Sequence, residues 1–182
     1  MSEVLDRYAA ISDGFTARLA GVSPDRWSDP SPCAEWSARD VVVHVVNTHR
    51  RVRASIDGST PAEVSGDDDL EAAWELARSS IVDALGDKVL AGQTVRGMFG
   101  EQPFESLVSR LLCADTLVHT WDLARATGQD ETLDPDAVGR AMEFLTPLDE
   151  VIRRPGGFAA KLDPVEGTDE QTRFLNFCGR AA

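Results

Sequence analysis

Apolar residues recur at spacings of three and four along most of this chain, which is the period of amphipathic helices. Leu5, Tyr8, Ile11, Phe15 and Leu19 mark a first helix over 3–20, with Gly21 placed to end it. Prolines 24, 30 and 32 then make a loop. Ser37-Ala38-Arg39-Asp40 reads as a capping box, in which Ser37 bonds the amide three residues on and Asp40 reaches back. It opens a second helix over 37–56, closed by Asp57-Gly58. The valines of Val41-Val42-Val43-His44-Val45-Val46 favour a strand locally. The cap and the polar continuation through Arg51 favour the helix.

Asp67-Asp68-Asp69 leads into a third helix over 70–85, where acidic side chains complement the positive helix start. Residues 88–100 form a glycine-bearing connection in which Thr94-Val95-Arg96 can be extended. A fourth helix is expected over 103–127, with Pro103 at its first position and Gly128 beyond its end. A fifth is expected over 135–153, capped by Asp134, followed by an irregular tail from Pro155 and a short turn or helix over 171–180. The pattern predicts an all-α fold and one domain over 1–182: an up-and-down or crossover bundle, whose sites form from inward side chains of facing helices.

The fourth helix carries the chemistry. On a wheel of about 100° per residue with Phe104 at zero, Val108, Leu111, Asp115 and Asp122 fall within roughly 40°, and His119 at roughly 60°. The apolar stripe becomes polar at Asp115. A buried carboxylate is costly unless paired or metal-bound, and Asp115 and His119 at i and i+4 point the same way. Imidazole with carboxylate suits Zn2+, Ni2+, Fe2+ or Mn2+. A further ligand must come from elsewhere. His44 and His49 are the other histidines, and the wheel does not separate them, although His44 sits within the valine run and His49 looks nearer the surface.

The net charge of -13 disfavours nucleic acid and anionic membranes as partners, and no apolar run approaches the roughly 20 residues of a membrane span. Three widely spaced cysteines, Cys33, Cys113 and Cys178, fit reduced thiols and a cytoplasmic location, and the N-terminus shows no signal-peptide pattern. There is no nucleophile elbow, phosphate loop or dinucleotide fingerprint.

Three blocks carry a resemblance: Pro32-Cys33-Ala34-Glu35-Trp36-Ser37-Ala38-Arg39-Asp40 continuing through Val46, Asp115-Thr116-Leu117-Val118-His119-Thr120-Trp121-Asp122 continuing through Gly128, and Arg173-Phe174-Leu175-Asn176-Phe177-Cys178-Gly179-Arg180. In this order they resemble the actinobacterial branch of the DinB-like superfamily, related to the N-terminal domain of mycothiol-dependent maleylpyruvate isomerase. The resemblance implies a four-helix bundle with a crossover connection. It implies a divalent metal, usually zinc, held by His44, Asp115 and His119, where the isomerase itself has glutamate at the position of Asp115. The isomerase also has a separate C-terminal domain, of which a chain of 182 residues is expected to lack a full copy.

The reading that follows is a metal-dependent thiol S-transferase or isomerase. A low-molecular-weight thiol, mycothiol by resemblance, would attack a small electrophile as a metal-held thiolate. Asp122, one turn beyond His119, would orient a ligand or hold a water. Arg51, Arg96 and Arg125 are candidates to meet an anionic substrate. The rival is a non-catalytic, stress-related metal-binding bundle, with a homodimer as one form.

Overall fold

A computed structural model of the chain describes residues 2–97, 100–153, 157–163 and 166–182. It is mostly helical, with one two-stranded sheet among the described residues. Helix α1 (Glu3–Ala20) starts where Ser2 Oγ accepts from the Leu5 amide and buries Tyr8, Ile11, Phe15 and Leu19, as the spacing predicts. Helix α2 (Ala38–Ala54) opens with both halves of the capping box at Ser37 and Asp40. The valine run is helical, because Val41, Val42, Val45 and Val46 are all fully buried, and that packing outweighs β-propensity. Ser37→Ala is expected to cost about 1 kcal/mol of stability, measurable by urea denaturation; an unchanged midpoint would show that the box is dispensable.

Helix α3 (Leu70–Gly86), capped by Asp69, is followed by a short α4 (Lys88–Gly92) capped by Asp87. The chain is not purely α. Strands β1 (Thr94–Gly97) and β2 (Gly100–Pro103) pair antiparallel, with Val95 opposite Gln102. Glycines at 92, 97 and 100 weaken any helix there, and the β-branched Val95 is buried against the core. Met98 and Phe99, within the expected 88–100 connection, lie outside the described residues.

The expected fourth helix is interrupted. Pro103 ends β2 rather than opening a helix. Helix α5 (Phe104–Leu107), a π-helical turn (Val108–Leu112) and α6 (Cys113–Thr127) continue one another, and Gly128 closes α6 with φ 70°. A π turn holds an extra residue, so α6 is rotated by roughly 100° from where a uniform wheel puts it. Phe104, Val108 and Leu112 therefore fill the core, while Leu111 and Asp115 are only partly buried and line a cleft. The fifth helix is also shorter than expected. Helix α7 (Pro135–Leu145) passes into a 3-10 turn (Thr146–Leu148) and α8 (Asp149–Ile152), because Pro147 has no amide hydrogen to continue the ladder. Pro155, where the irregular tail was expected to begin, lies outside the described residues. Helix α9 (Glu170–Phe177) packs on α7.

Helix α6 is the hub: from Thr116 to Ala124 every residue is buried. It packs on α1 and α2, and both of those pack on α3. One apolar cluster, including Tyr8, Leu112, Trp121, Leu145 and Phe174, ties α1 and α6 to α7 and α9. A second, including Phe15, the four valines and Trp74, joins α1, α2 and α3. Each fully buried large side chain in these clusters is worth about 1.5–3 kcal/mol. The polar site sits where α2 and α6 face each other, with rigid helices behind both sides.

Candidate metal centre

His44 projects from the partly open side of α2, with its side chain 27% exposed. Its Nε2 lies 3.2 Å from Asp115 Oδ1 on α6. One turn further along α6, His119 Nε2 lies 3.6 Å from the same oxygen. The imidazoles of His44 and His119 meet edge to face, with centroids 4.7 Å apart. Trp36 covers both, with centroids 4.8 Å from His44 and 5.9 Å from His119. Trp36 is held by the turn before α2, where Glu35 takes a left-handed φ of 67° and the Trp36 amide donates to the Cys33 carbonyl.

Behind this face His119 Nδ1 lies 2.9 Å from Asp122 Oδ2. A carboxylate only accepts, so Nδ1 carries the hydrogen toward Asp122, and Nε2 is the nitrogen that faces Asp115. Asp122 is fully buried. Its charge is met by Arg180, whose Nε and Nη2 donate to Oδ1 and Oδ2 at 3.0 and 2.7 Å. The Cys33 thiol donates to Oδ2 at 3.2 Å.

The electrostatics follow from this geometry. Burial acts to raise the Asp122 pKa, but the bonds from His119 and Arg180 prevail and hold it at about 2. Burial opposes ionisation of Asp115 too, and the nearby His119 and His44 bring it to about 2. Both carboxylates are therefore ionised at neutral pH. Burial, then the Asp122 charge, push the Cys33 thiol up to about 12, so it stays a thiol.

His44, Asp115 and His119 each offer a ligand atom within 4.8 Å of the others, and so do Cys33, His119 and Asp122. The two groups differ in how their charge is already satisfied. In the second, Arg180 occupies the cation position against Asp122. In the first, Asp115 Oδ2 is buried and has no hydrogen-bond partner among the described residues. The separations of 3.2 and 3.6 Å also suit ligation: neighbouring ligands on a tetrahedral ion with bonds of about 2.0–2.1 Å stand roughly 3.3 Å apart. Two imidazoles and one carboxylate are a donor set that fits zinc and its first-row neighbours.

The group opens into a cleft of about 600 Å³. Trp36, Leu111, Leu145, Ile152 and Phe158 give it an apolar wall, and Arg51, Arg110 and Arg180 also line it.

Several expectations change. His49, expected nearer the surface than His44, is fully buried. Its Nδ1 bonds the Val45 carbonyl at 2.7 Å, and its ring packs edge-on against Trp74, away from the cleft. Burial drives its pKa down to about 4, so it is neutral at pH 7. Of the three arginines singled out, only Arg51 lines the cleft. Arg96 is exposed on β1, and Arg125 pairs with Glu131 and covers Trp121. Cys33, in the loop before α2, contacts Asp122 and Arg180. The role of Arg180 was not legible, because it meets Asp122 from 58 residues away in the chain; the only signal was that a basic residue must answer a buried aspartate.

Residues 8–124 match the model of the family described as mycothiol maleylpyruvate isomerase N-terminal domain. That segment holds His44, Asp115, His119 and Asp122, and Arg180 falls outside it. Two uncharacterized proteins from two strains of Mycobacterium tuberculosis are each 34% identical over 147 residues, covering 79% of this chain and 79% of the relative. No solved structure gives a significant match.

Proposed function

We propose that this chain, which belongs to the mycothiol maleylpyruvate isomerase N-terminal-domain family, binds one divalent metal ion through His44, Asp115 and His119 and acts as a metal-dependent thiol S-transferase or isomerase on a small electrophile. The observation that carries the reading is the Asp115 carboxylate: it is flanked by two imidazole Nε2 atoms, with its second oxygen unpartnered among the described residues, at the wall of a cleft. Zinc is the ion proposed first, with nickel, iron or manganese compatible with the same donors. The mutual packing of α1, α2, α3 and α6 supports a four-helix bundle as the scaffold, with the sheet and short helices in the connection from α3 to α6.

His44, Asp115 and His119 would hold the ion with a position left for a thiol, and the chemistry the ion would supply there is a lowered thiol pKa at neutral pH. Mycothiol is the thiol that the family's description supports. The chain's own residues do the rest. Asp122 keeps the hydrogen of His119 on Nδ1, away from the ligand side. Trp36 shields both imidazoles on one side. The wall of Leu111, Leu145, Ile152 and Phe158 excludes water from the reacting molecules. Arg110 offers positive charge to an anionic electrophile on a protein that is otherwise strongly acidic, while Arg51, also at the cleft, is paired with Glu63. Cys33, kept protonated beside Asp122, does not compete as a nucleophile.

Calorimetric titration of mycothiol into the zinc-loaded protein tests this. Saturable binding that disappears in the metal-free protein is the expected result. Zinc binding with no thiol binding would sink the transferase reading and leave a non-catalytic metal-binding bundle.

A further inference from the structure

We infer that Arg180, outside the segment that matches the family model, is a positioning residue for the metal centre: through Asp122 it fixes the orientation of His119. This rests on the metal-binding reading above.

The geometry constrains every atom in the chain of contacts. Arg180 is 6% exposed. Its Nε takes Asp122 Oδ1, its Nη2 takes Oδ2 and touches Cys33 Sγ at 3.0 Å, and its Nη1 donates to the Cys178 carbonyl at 2.8 Å. A fork engaged on both oxygens leaves the carboxylate no rotation, so the lone pair of Oδ2 stays aimed at His119 Nδ1. A point charge would neutralise Asp122 equally well, but it would not fix that plane.

The backbone that aims Arg180 is equally specific. Beyond α9 the Gly179 amide donates to the Asn176 carbonyl and the Arg180 amide to the Leu175 carbonyl, the six-to-one bond of a glycine-closed helix end. Gly179 has φ 80°, and a Cβ there would stand 2.8 Å from both Ala159 Cβ and the Ala160 carbonyl oxygen. The turn admits only glycine, and it directs the next side chain inward. The consequence is that docking of the C-terminal helix is coupled to the metal site through one guanidinium.

Cobalt(II) is a suitable probe, because its visible spectrum reports ligand geometry and competition with a chromophoric chelator reports affinity. Arg180→Met is expected to bind cobalt about 10–100-fold more weakly than the wild type, with a shifted visible band. Arg180→Lys, which keeps the charge without the fork, is expected to recover only part of the affinity. Gly179→Ala, which leaves the guanidinium chemistry intact but displaces it, is expected to weaken binding in the same direction. Wild-type affinity and spectrum in Arg180→Met would overturn the inference, provided that His119→Ala binds no cobalt. Failure of the wild type to bind cobalt or zinc would instead refute the metal reading itself. If circular dichroism shows Arg180→Met unfolded, the other two variants decide; loss of the fold in all three makes the pair purely structural and overturns the inference.

Discussion

His119→Ala is expected to leave the protein without bound metal when it is purified in the absence of chelator. His119 offers the ligand atom most tightly prepared by its surroundings. Its ring is nearly buried, its Nδ1 hydrogen is committed to Asp122, and its Nε2 faces Asp115. Losing an outer partner of a metal ligand typically costs 10–100-fold in affinity, so losing the ligand itself should cost more than about 100-fold. His44→Ala is expected to behave alike, since it removes the only imidazole that α2 brings to Asp115 Oδ1 among the described residues. His49→Phe is the informative contrast. It keeps an aromatic ring between Tyr8 and Trp74 and removes a nitrogen that the cleft does not reach, so full metal content is expected. Elemental analysis of the three variants checks this. Metal retained in His44→Ala and lost in His49→Phe would reverse the assignment.

The contrast between His44 and His49 also marks how far the sequence carries. Local signals were legible where a single turn decides the outcome. The capping box fixes the start of α2, and Gly128 fixes the end of α6. Two interruptions were not legible in the periodicity. The π turn at Val108–Leu112 leaves the residue pattern helical while rotating everything after it, so a uniform wheel puts Leu111 and Asp115 with the core residue Phe104. Pro147 lies within the 135–153 pattern, whose period does not register it, and it ends α7 early. Burial of each histidine depended on what α1 and α3 place opposite α2, which no local pattern states: Tyr8 and Trp74 enclose His49, while His44 opens to the cleft. Asp115 and His119 were readable because they share one helix. The Asp122–Arg180 contact was not, because it depends on the return of α9 and the turn at Gly179.

That contact sets the second large expectation, which concerns stability in the absence of metal. Asp122→Asn removes the counter-charge of a guanidinium that is almost completely buried. Removing one partner of a buried ion pair is costly because the other charge stays desolvated, and about 3–5 kcal/mol is the expected loss at pH 7. Denaturant unfolding of metal-free protein measures it, and a loss below about 1 kcal/mol would show that water reaches Arg180. The pH dependence supplies an independent check with a definite sign. The folded-state pKa of Asp122 is depressed to about 2 from an ordinary value of 3.8. Its contribution is therefore complete above about pH 5 and is lost as the pH falls from there through 2. The full contribution is about 2 kcal/mol, of which about half is gone by pH 3. Asp115 loses stability over the same window, since its pKa is depressed to about 2 as well. In Asp122→Asn only the Asp115 share of this pair remains, so the variant should lose about 1 kcal/mol less than the wild type between pH 5 and pH 3. Parallel pH profiles for the two proteins would mean that Asp122 is not held ionised by Arg180 and His119 in the folded chain.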